Sequence, residues 1–361
     1  MKQITIQTAS KTYDVKIGVD MTNEIVSFTK KTFPQVSKLW IIADKEVFNL
    51  HGTAFTEILS RSYDVTTYLA PKGEHAKSFA IYEDAITHGL ANHVDRSAMV
   101  IAFGGGAIGD LAGFVASTYM RGIPFIGVPT TILAHDSAVG GKVAINHPLG
   151  KNMVGQFYQP EGVFFDLDYM TTLPKTEVLS GFSEVIKHAF LSDRAFLQEL
   201  MDNFHSPEQL DHEFLTDCLM KGIRVKGNIV AKDERESNIR AFLNFGHTYG
   251  HAVESASGYG NRTHGESVMI GMIFALHLSE QYCELTFDLQ GFIDWVASLG
   301  YNLNIPSHIT FDNLYIGMKL DKKSQHGNPV FVLLKDIGKP LMVKVSVEDL
   351  RRADQFIREF N

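Results

Sequence analysis

The chain has 361 residues, 45% of them hydrophobic, which is enough to bury the core of one large domain or two ordinary ones. Its formal net charge of −8 argues against general binding to nucleic acids or anionic membranes, so an anionic ligand would need a local cluster of basic residues. The two cysteines, Cys218 and Cys283, have no metal-type spacing and indicate no disulfide framework.

The N-terminal stretch MKQITIQTAS alternates apolar and polar residues, which predicts a β-strand and not a signal peptide. The longest apolar run, Val268–Leu278, is too short to span a bilayer. We therefore expect a cytoplasmic protein.

The first part of the chain alternates short apolar runs with helical patterns. Residues 78–93 have helical spacing, with Ser78 as the N-cap, and after Thr172–Pro174 helical patterns dominate. We predict an α/β domain with a mostly parallel sheet over residues 1–170 and an all-α domain over residues 171–361. The predicted strands are Lys38–Asp44, Tyr63–Ala70, Ser97–Gly104, Pro124–Thr130 and Gly162–Leu167.

A glycine loop lies between a predicted strand and a predicted helix. Gly104, Gly106 and Gly109 satisfy the pattern G-x-G-x-x-G, which lets a pyrophosphate approach the backbone at a helix N-terminus. No acidic residue lies about 20 positions downstream to hold a ribose, although Asp44 ends an earlier strand. The loop therefore predicts a dinucleotide site, and the alternative is a tight turn that packs a helix on the sheet.

Two more loops follow predicted strands. Glu74 and Lys77 in PKGEHAK are suited to a ribose hydroxyl and a phosphate, and VPTT ends with Thr130 and Thr131. The carboxyl ends of parallel strands are where open α/β sheets bind ligands, so these loops favour the same site. Taken alone, a stretch such as PKGEHAK is more often a solvated loop.

The densest polar stretch, His135–Gly155, has neither helical nor strand periodicity, so we expect a functional loop. It contains Asp136, Asn146 and Asn152, and its Lys142 and Lys151, with the earlier Arg121, could hold an anion. The alternative for any one of these lysines is a solvated surface charge.

Possible metal ligands lie in three helical stretches. Glu184 is in GFSEVIKH, His247 and His251 are in NFGHTYGH, and His264 is in THGES. One carboxylate with two imidazoles is a catalytic zinc set that leaves a position open for substrate. The spacing does not decide between His247 and His251, and a structural role for each histidine stays open.

Together these stretches resemble the 3-dehydroquinate synthase family of the sugar-phosphate cyclases. The motifs are GGGAIGD, GGKVAINHPLGKNMVG, FYQP, GFSEVIKH, DERESNIRAFLNFGHTYGHAVE and HGESV, and the resemblance extends from Asp44 to Gly327. It implies the fold shared with iron-dependent polyol dehydrogenases, with an NAD-binding domain over 1–170 and a helical metal- and substrate-binding domain over 171–361. It also implies NAD, one divalent metal (zinc or cobalt) and a homodimer.

The resemblance implies a role for each matching residue. Glu184, His247 and His264 match the metal ligands, and His251 and Glu236 match catalytic residues beside the metal. Positions that match NAD contacts are Asp44, Glu74, Lys77, Gly105, Gly106, Asp110, Thr130, Thr131, Lys151 and Thr172.

A second group of residues matches substrate contacts. Lys142 and Asn152 also match catalytic positions, and Arg121 matches an arginine that reaches the phosphate site of the neighbouring subunit. One of Lys322 and Lys323 is expected to reach the substrate. The remaining matches are Asp136, Lys187, Lys226, Arg240 and Asn244.

One stretch departs from the family pattern. The common sequence Q-V-D-S-S is here His135-Asp136-Ser137-Ala138, one residue shorter and with alanine for the second serine. We keep the role of Asp136 and assign none to His135.

The implied reaction converts 3-deoxy-D-arabino-heptulosonate 7-phosphate to 3-dehydroquinate and phosphate. Its steps are transient oxidation by NAD, phosphate elimination, re-reduction, ring opening and an intramolecular aldol closure. The alternatives are a polyol dehydrogenase of the same fold, a sugar-phosphate cyclase with another substrate, and a non-catalytic NAD-binding protein.

Overall fold

The computed structural model describes residues 1–258, 261–320 and 329–360. The chain forms two compact units. The sheet unit contains Met1–Leu173 and His212–Arg235, and the helical unit contains Pro174–Asp211 and Glu236–Asn361. One long helix from the second half of the sequence thus belongs to the sheet unit.

The sheet unit is built on seven strands in the order β1-β2-β9-β6-β5-β3-β4. Only β1 and β2 pair antiparallel, and the remaining neighbours are parallel. The predicted mostly parallel sheet is therefore confirmed. The strands are β1 Lys2–Gln7, β2 Thr12–Gly18, β3 Leu39–Asp44, β4 Val65–Ala70, β5 Met99–Gly104, β6 Phe125–Pro129, β7 Lys142–His147, β8 Gly150–Phe157, β9 Gly162–Asp166, β10 Val330–Asp336 and β11 Lys339–Lys344.

The helices alternate with strands in the first half of the chain and dominate the second half. The Ser78 hydroxyl accepts a hydrogen bond from the Ile81 amide, as its predicted N-cap role requires. The helices are α1 Met21–Thr32, α2 Lys45–Val47, α3 Thr53–Ser60, α4 Phe79–Ala91, α5 Gly106–Thr118, α6 Ala134–Ser137, α7 Leu167–Met170, α8 Lys175–Ser192, α9 Arg194–Asn203, α10 His212–Lys232, α11 His247–Ser257, α12 His264–Cys283, α13 Leu289–Leu299, α14 Phe311–Leu320 and α15 Val347–Arg358.

The central strands are hydrophobic along their whole length because both faces of the sheet are covered. Every residue of β3, β5, β6 and β9 is buried. One core lies around Trp40 and Val100, and the other around Ile41 and Phe103. This packing holds the carboxyl ends of the parallel strands in fixed positions.

Two hairpins were not apparent from the sequence. The stretch predicted as a long loop contains the antiparallel pair β7–β8, whose Val143 packs against Gly113 of α5. In the helical unit, β10 and β11 form a second hairpin, and Val330–Leu334 of β10 are buried. Within the described ranges, no helix is long and apolar enough to cross a membrane.

Candidate functional site

Three side chains of the helical unit form a compact cluster. Glu184 lies on α8, His247 begins α11 and His264 begins α12. The Nε2 atoms of His247 and His264 each lie 3.5 Å from Oε1 of Glu184. One ligand atom from each of the three lies within 4.8 Å of the others, which suits a shared metal ion.

Glycines explain how three helices come this close. A Cβ atom at Gly265, next to His264, would overlap the backbone of Ser180 on α8. A Cβ atom at Gly250 would lie 2.7 Å from the carbonyl oxygen of Ser267 on α12. Since real Cβ atoms do not approach this closely, α12 can pack on α8 and α11 at these points only because glycine occupies them.

The other ring nitrogens of the two histidines also have acceptors. Nδ1 of His247 lies 3.1 Å from the carbonyl oxygen of Phe245. Nδ1 of His264 lies 3.1 Å from Oε2 of the buried Glu254. Both Nδ1 atoms are therefore suited to donate, which leaves each Nε2, the atom that faces Glu184, to bind either a proton or a metal ion.

Burial and charge act differently on the two imidazoles. Burial lowers the pKa of His247 well below its usual value, so this ring is neutral and can offer a lone pair. For His264, burial opposes the charged form, but hydrogen bonds to Glu184 and Glu254 raise the pKa to about 9. The cluster therefore favours a positive charge, either a proton or a metal cation.

The donor set fits a catalytic divalent metal. A carboxylate and two imidazoles bind zinc with one position left open for a substrate oxygen, and cobalt accepts the same ligand types. His251, one turn after His247, is exposed, and its ring centroid lies 5.1 Å from that of His247. His251 also belongs to a second group, with Glu254 and His264, whose ligand atoms lie within 4.8 Å of one another.

Other predicted residues of the helical unit lie in hydrogen-bonded positions. Lys187 forms a buried ion pair with Glu184, one helical turn away. Asn244 donates from Nδ2 to Oε1 of Glu236 at 3.1 Å. Arg240 is buried in the 3₁₀ segment Ile239–Asn244.

In the sheet unit, the glycine loop has the geometry of a phosphate cradle. Gly105 caps α5, and a Cβ atom at Gly106 would lie 2.7 Å from Oγ of Ser137. The buried hydroxyl oxygens of Thr130, Thr131 and Ser137 have no hydrogen-bond partner within the part of the chain that the structure describes. Orphaned hydroxyls beside a glycine loop at a helix N-terminus fit the phosphates of a dinucleotide.

Asp44 connects two of the loops at the carboxyl edge of the sheet. Its Oδ1 accepts hydrogen bonds from the amides of Glu46 and Val47 at 2.8 and 3.3 Å, which caps α2. Its Oδ2 accepts from the Gly73 amide at 3.4 Å. The acidic side chain is therefore held at the strand end where a ribose is expected.

The buried Lys77 links its own loop to helix α5 and strand β8 of the sheet unit. Nζ of Lys77 lies 2.5 Å from Oδ2 of Asp110 and 2.5 Å from Oδ1 of Asn152. Burial raises the pKa of Asp110, although Lys77 acts in the opposite direction. Asn152, near the start of β8, has a left-handed backbone with φ of 56°. This conformation directs its side chain toward Lys77.

The remaining polar contacts cross the same edge. Glu74 accepts from Nδ2 of Asn146 at 2.7 Å and lies 3.5 Å from Nζ of Lys151. Nζ of Lys226, on α10, lies 2.8 Å from Oδ2 of Asp136. The buried His135 lies next to Asp136, with Nδ1 2.7 Å from the carbonyl oxygen of Ile132.

Three predicted residues lie at the margins of these groups. Lys142 begins β7 and is exposed, as is Arg121, whose φ is 71°. The Thr172 hydroxyl lies 2.8 Å from Nε2 of His51. The alternative pair Lys322 and Lys323 lies outside the described residues.

Glu254 and Ser137 were not predicted from the sequence. Glu254 lies seven residues after His247 and three after His251, so the helical spacing could have placed it on their face. Ser137 gave no signal in the sequence, because its approach to Gly106 depends on the fold.

The fold is shared with solved structures of a sugar-phosphate cyclase and of dehydrogenases. A solved structure of 2-deoxy-scyllo-inosose synthase, complexed with carbaglucose-6-phosphate, NAD⁺ and Co²⁺, has a TM-score of 0.89 and 25% identity, with 99% of each chain covered. Glycerol dehydrogenase from Schizosaccharomyces pombe has a TM-score of 0.69 at 15% identity, covering 99% of this chain and 90% of that one. The second likeness shows the fold alone.

The sequence comparisons define the family. Residues 67–180 match the 3-dehydroquinate synthase N-terminal family, and residues 181–324 match the 3-dehydroquinate synthase C-terminal family. A 3-dehydroquinate synthase from Listeria innocua is 49% identical over 96% of this chain and 95% of its own length. One from Geobacillus thermodenitrificans is 46% identical over 99% of both. The chain belongs to the 3-dehydroquinate synthase family.

Proposed function

We infer that the chain catalyses its family's reaction, the conversion of 3-deoxy-D-arabino-heptulosonate 7-phosphate to 3-dehydroquinate and phosphate. The observation that carries this inference is the 49% identity to a 3-dehydroquinate synthase over 96% of the chain. The likeness to 2-deoxy-scyllo-inosose synthase is only 25% identical, which favours the heptulosonate substrate over another sugar phosphate. The enzyme is then a phosphate-eliminating lyase of the shikimate pathway, and the expected cytoplasmic location is part of the same proposal.

The reaction is redox-neutral. Oxidation of the C5 hydroxyl acidifies the C6 proton, that proton and phosphate leave, C5 is reduced again, and ring opening precedes the aldol closure. Bound NAD supplies hydride acceptance and return, and a bound divalent metal supplies Lewis-acid polarisation of the substrate oxygens. Because the hydride is returned to C5, the reaction consumes no NAD.

The nucleotide is assigned to the carboxyl edge of the sheet. The amides of the glycine loop and the orphaned hydroxyls of Thr130 and Thr131 support phosphate binding there, and Asp44 is suited to a ribose. The full set proposed to contact NAD is Asp44, Glu74, Lys77, Gly105, Gly106, Asp110, Thr130, Thr131, Lys151 and Thr172.

The metal is assigned to Glu184, His247 and His264. Their ligand atoms converge, with Glu184 and His247 buried and His264 half-buried, which supports this assignment. Two neutral imidazoles with one carboxylate leave a net charge near +1 on a divalent site. His251 is then available for proton transfer one helical turn from His247, together with Glu236.

The substrate's anionic groups are assigned to basic and amide side chains. Lys142, Asn152 and Arg121 are suited to the phosphate, and Lys226 and Arg240 to the C1 carboxylate, since charge-assisted hydrogen bonds hold such groups in register. The remaining proposed contacts are Asp136, Lys187 and Asn244.

We further propose a homodimer in which Arg121 acts on the neighbouring subunit's phosphate site. The exposure of Arg121 in a left-handed turn supports a role outside its own subunit. Mixing inactive Arg121→Ala and His264→Ala chains should restore activity, because one site of the mixed dimer then has both groups. No recovery from dimers shown to have exchanged subunits would overturn the proposal.

Phosphate release tests the function directly. Metal-loaded protein with a trace of NAD should release phosphate from the heptulosonate phosphate and should form no stoichiometric NADH from glycerol or other polyols. Stoichiometric NADH from a polyol, without phosphate release, would instead identify a dehydrogenase. As a matched pair, Lys142→Ala should lose phosphate release, whereas Lys335→Ala, at another exposed lysine, should retain it.

A further inference from the structure

We propose that Glu254 is a positioning residue that fixes the orientation of His264 for the metal. The inference rests on the proposed ligand set of Glu184, His247 and His264. Glu254 is no part of that set, yet its Oε2 lies 3.1 Å from Nδ1 of His264. The contact joins α11, which carries His247, to the first residue of α12.

The contact determines which nitrogen of His264 can bind a cation. An ionised carboxylate only accepts hydrogen bonds, so Nδ1 of His264 must carry the proton in this pair. Nε2 then retains its lone pair, and it lies 3.5 Å from Oε1 of Glu184. Glu254 thus selects the tautomer and holds the ring plane toward the other two ligands.

The two histidines are oriented by different acceptors. Nδ1 of His247 faces the carbonyl oxygen of Phe245, a neutral acceptor two residues earlier in the chain. The acceptor for His264 is a carboxylate, which raises the basicity of the ligating nitrogen more than a neutral carbonyl does. Because Glu254 is only 8% exposed, solvent screens its charge weakly. Loss of that charge should therefore lower the affinity of the site for the metal.

A rival assignment makes Glu254 itself a ligand. His251, Glu254 and His264 also have ligand atoms within 4.8 Å of one another. In that arrangement Nδ1 of His264 would bind the metal, so it could not donate to Glu254. His251 would then be as necessary for metal affinity as Glu254, whereas the positioning role makes His251 dispensable for binding.

Metal affinity, measured by Zn²⁺ and Co²⁺ equilibrium titration of the purified chain, tests the proposal without an activity assay. Loss of an outer hydrogen bond to a ligand typically weakens affinity by about 10- to 100-fold, which we expect for Glu254→Leu. Glu254→Gln retains a neutral acceptor and should be affected less. The Co²⁺ absorption spectrum should keep the band pattern of the parent, because the ligands themselves are unchanged.

Three control variants separate the possible outcomes. Glu280→Gln removes a carboxylate elsewhere on α12, and Tyr249→Phe, on α11, removes a buried hydrogen bond to Asp354 of α15. Both should leave metal affinity unchanged even if stability falls. His251→Ala should also bind normally. Parent-like affinity in folded Glu254→Leu overturns the positioning role, as does an equal loss in His251→Ala.

The ligand set itself is checked by His264→Ala. If that variant binds metal as tightly as the parent, the proposed metal site is wrong. If it loses the metal while Glu254→Leu does not, only the role of Glu254 is wrong.

Discussion

The sheet unit and the helical unit bring their polar residues together in different ways. At the sheet edge, cations and carboxylates already satisfy one another, as Lys77 does with Asp110 and Lys226 with Asp136. In the helical unit Lys187 also pairs with Glu184, but Glu184, His247 and His264 in addition direct ligand atoms toward a common point. The first arrangement must exchange partners to bind an anion, whereas the second is already arranged for a cation.

Glycine permits close approach in both units, but between different partners. In the sheet unit Gly106 lets the start of α5 approach the Ser137 hydroxyl, where a ligand's phosphate is expected. In the helical unit Gly250 and Gly265 let helices touch, and the metal ligands are carried on those helices. The glycine thus brings a hydroxyl to a helix N-terminus in one unit and packs helix on helix in the other.

The largest expected effect is the loss of metal affinity on removing one ligand of the helical cluster, a change that leaves the sheet edge intact. His264→Ala should reduce affinity for Zn²⁺ by more than about 100-fold, because a three-ligand site loses a direct ligand while loss of an outer contact alone costs about 10- to 100-fold. NAD affinity should stay within about twofold, because His264 is not among the residues proposed to contact NAD. Titration calorimetry measures both, with His205→Ala as a control at an exposed histidine outside the cluster.

The converse substitution, Gly106→Ala, disturbs the glycine loop and leaves the metal ligands unchanged. At Gly106 an added methyl group would displace the Ser137 hydroxyl, which is proposed to face the dinucleotide phosphates. A hydrogen bond to a charged group contributes about 1.5–3 kcal/mol, so NAD affinity should fall by about tenfold or more, and Zn²⁺ affinity should not change.

Gly109 offers a matched control for this change. No atom of the described residues lies within 4 Å of an added Cβ there, so Gly109→Ala should fold normally. Equal NAD binding by Gly106→Ala and the parent would contradict the proposed cradle.

The sequence predicted most of the sheet, and the reason is physical. β3, β5, β6 and β9 are buried on both faces, so continuous apolar runs identify them. The hairpin β7–β8 escaped notice because β8 is mainly exposed and its glycines and polar residues hide the alternation. Its position depends on packing against α5, which a local pattern does not encode.

The candidate site could be predicted only in part from the sequence, for a similar reason. Glu184 and Lys187 are three residues apart, which puts them on one face of α8, and the structure pairs them. Glu254 was not singled out, because its contact with His264 spans two helices. Residues whose partners are distant in sequence become visible only after the helices are packed.

The smallest expected effect concerns the metal-free helical cluster at different pH values. The pKa of His264 is raised to about 9 from about 6.5 in an unfolded chain, so its protonated form stabilises the folded state. That contribution is complete below the unfolded pKa and is lost as the pH rises through about 9. Urea unfolding of metal-free protein should show this loss, and His264→Ala should lack it. If the parent and His264→Ala showed the same pH dependence of stability, the raised pKa assigned to His264 would be contradicted.

The ratio of phosphate released to NAD present tests most directly whether the enzyme is a redox-neutral cyclase. With metal-loaded protein, the heptulosonate phosphate and NAD far below the substrate concentration, many phosphates should form per NAD while absorbance at 340 nm stays flat. Phosphate release that stops after one turnover per NAD, or that is matched by accumulating NADH, would contradict a redox-neutral cyclase.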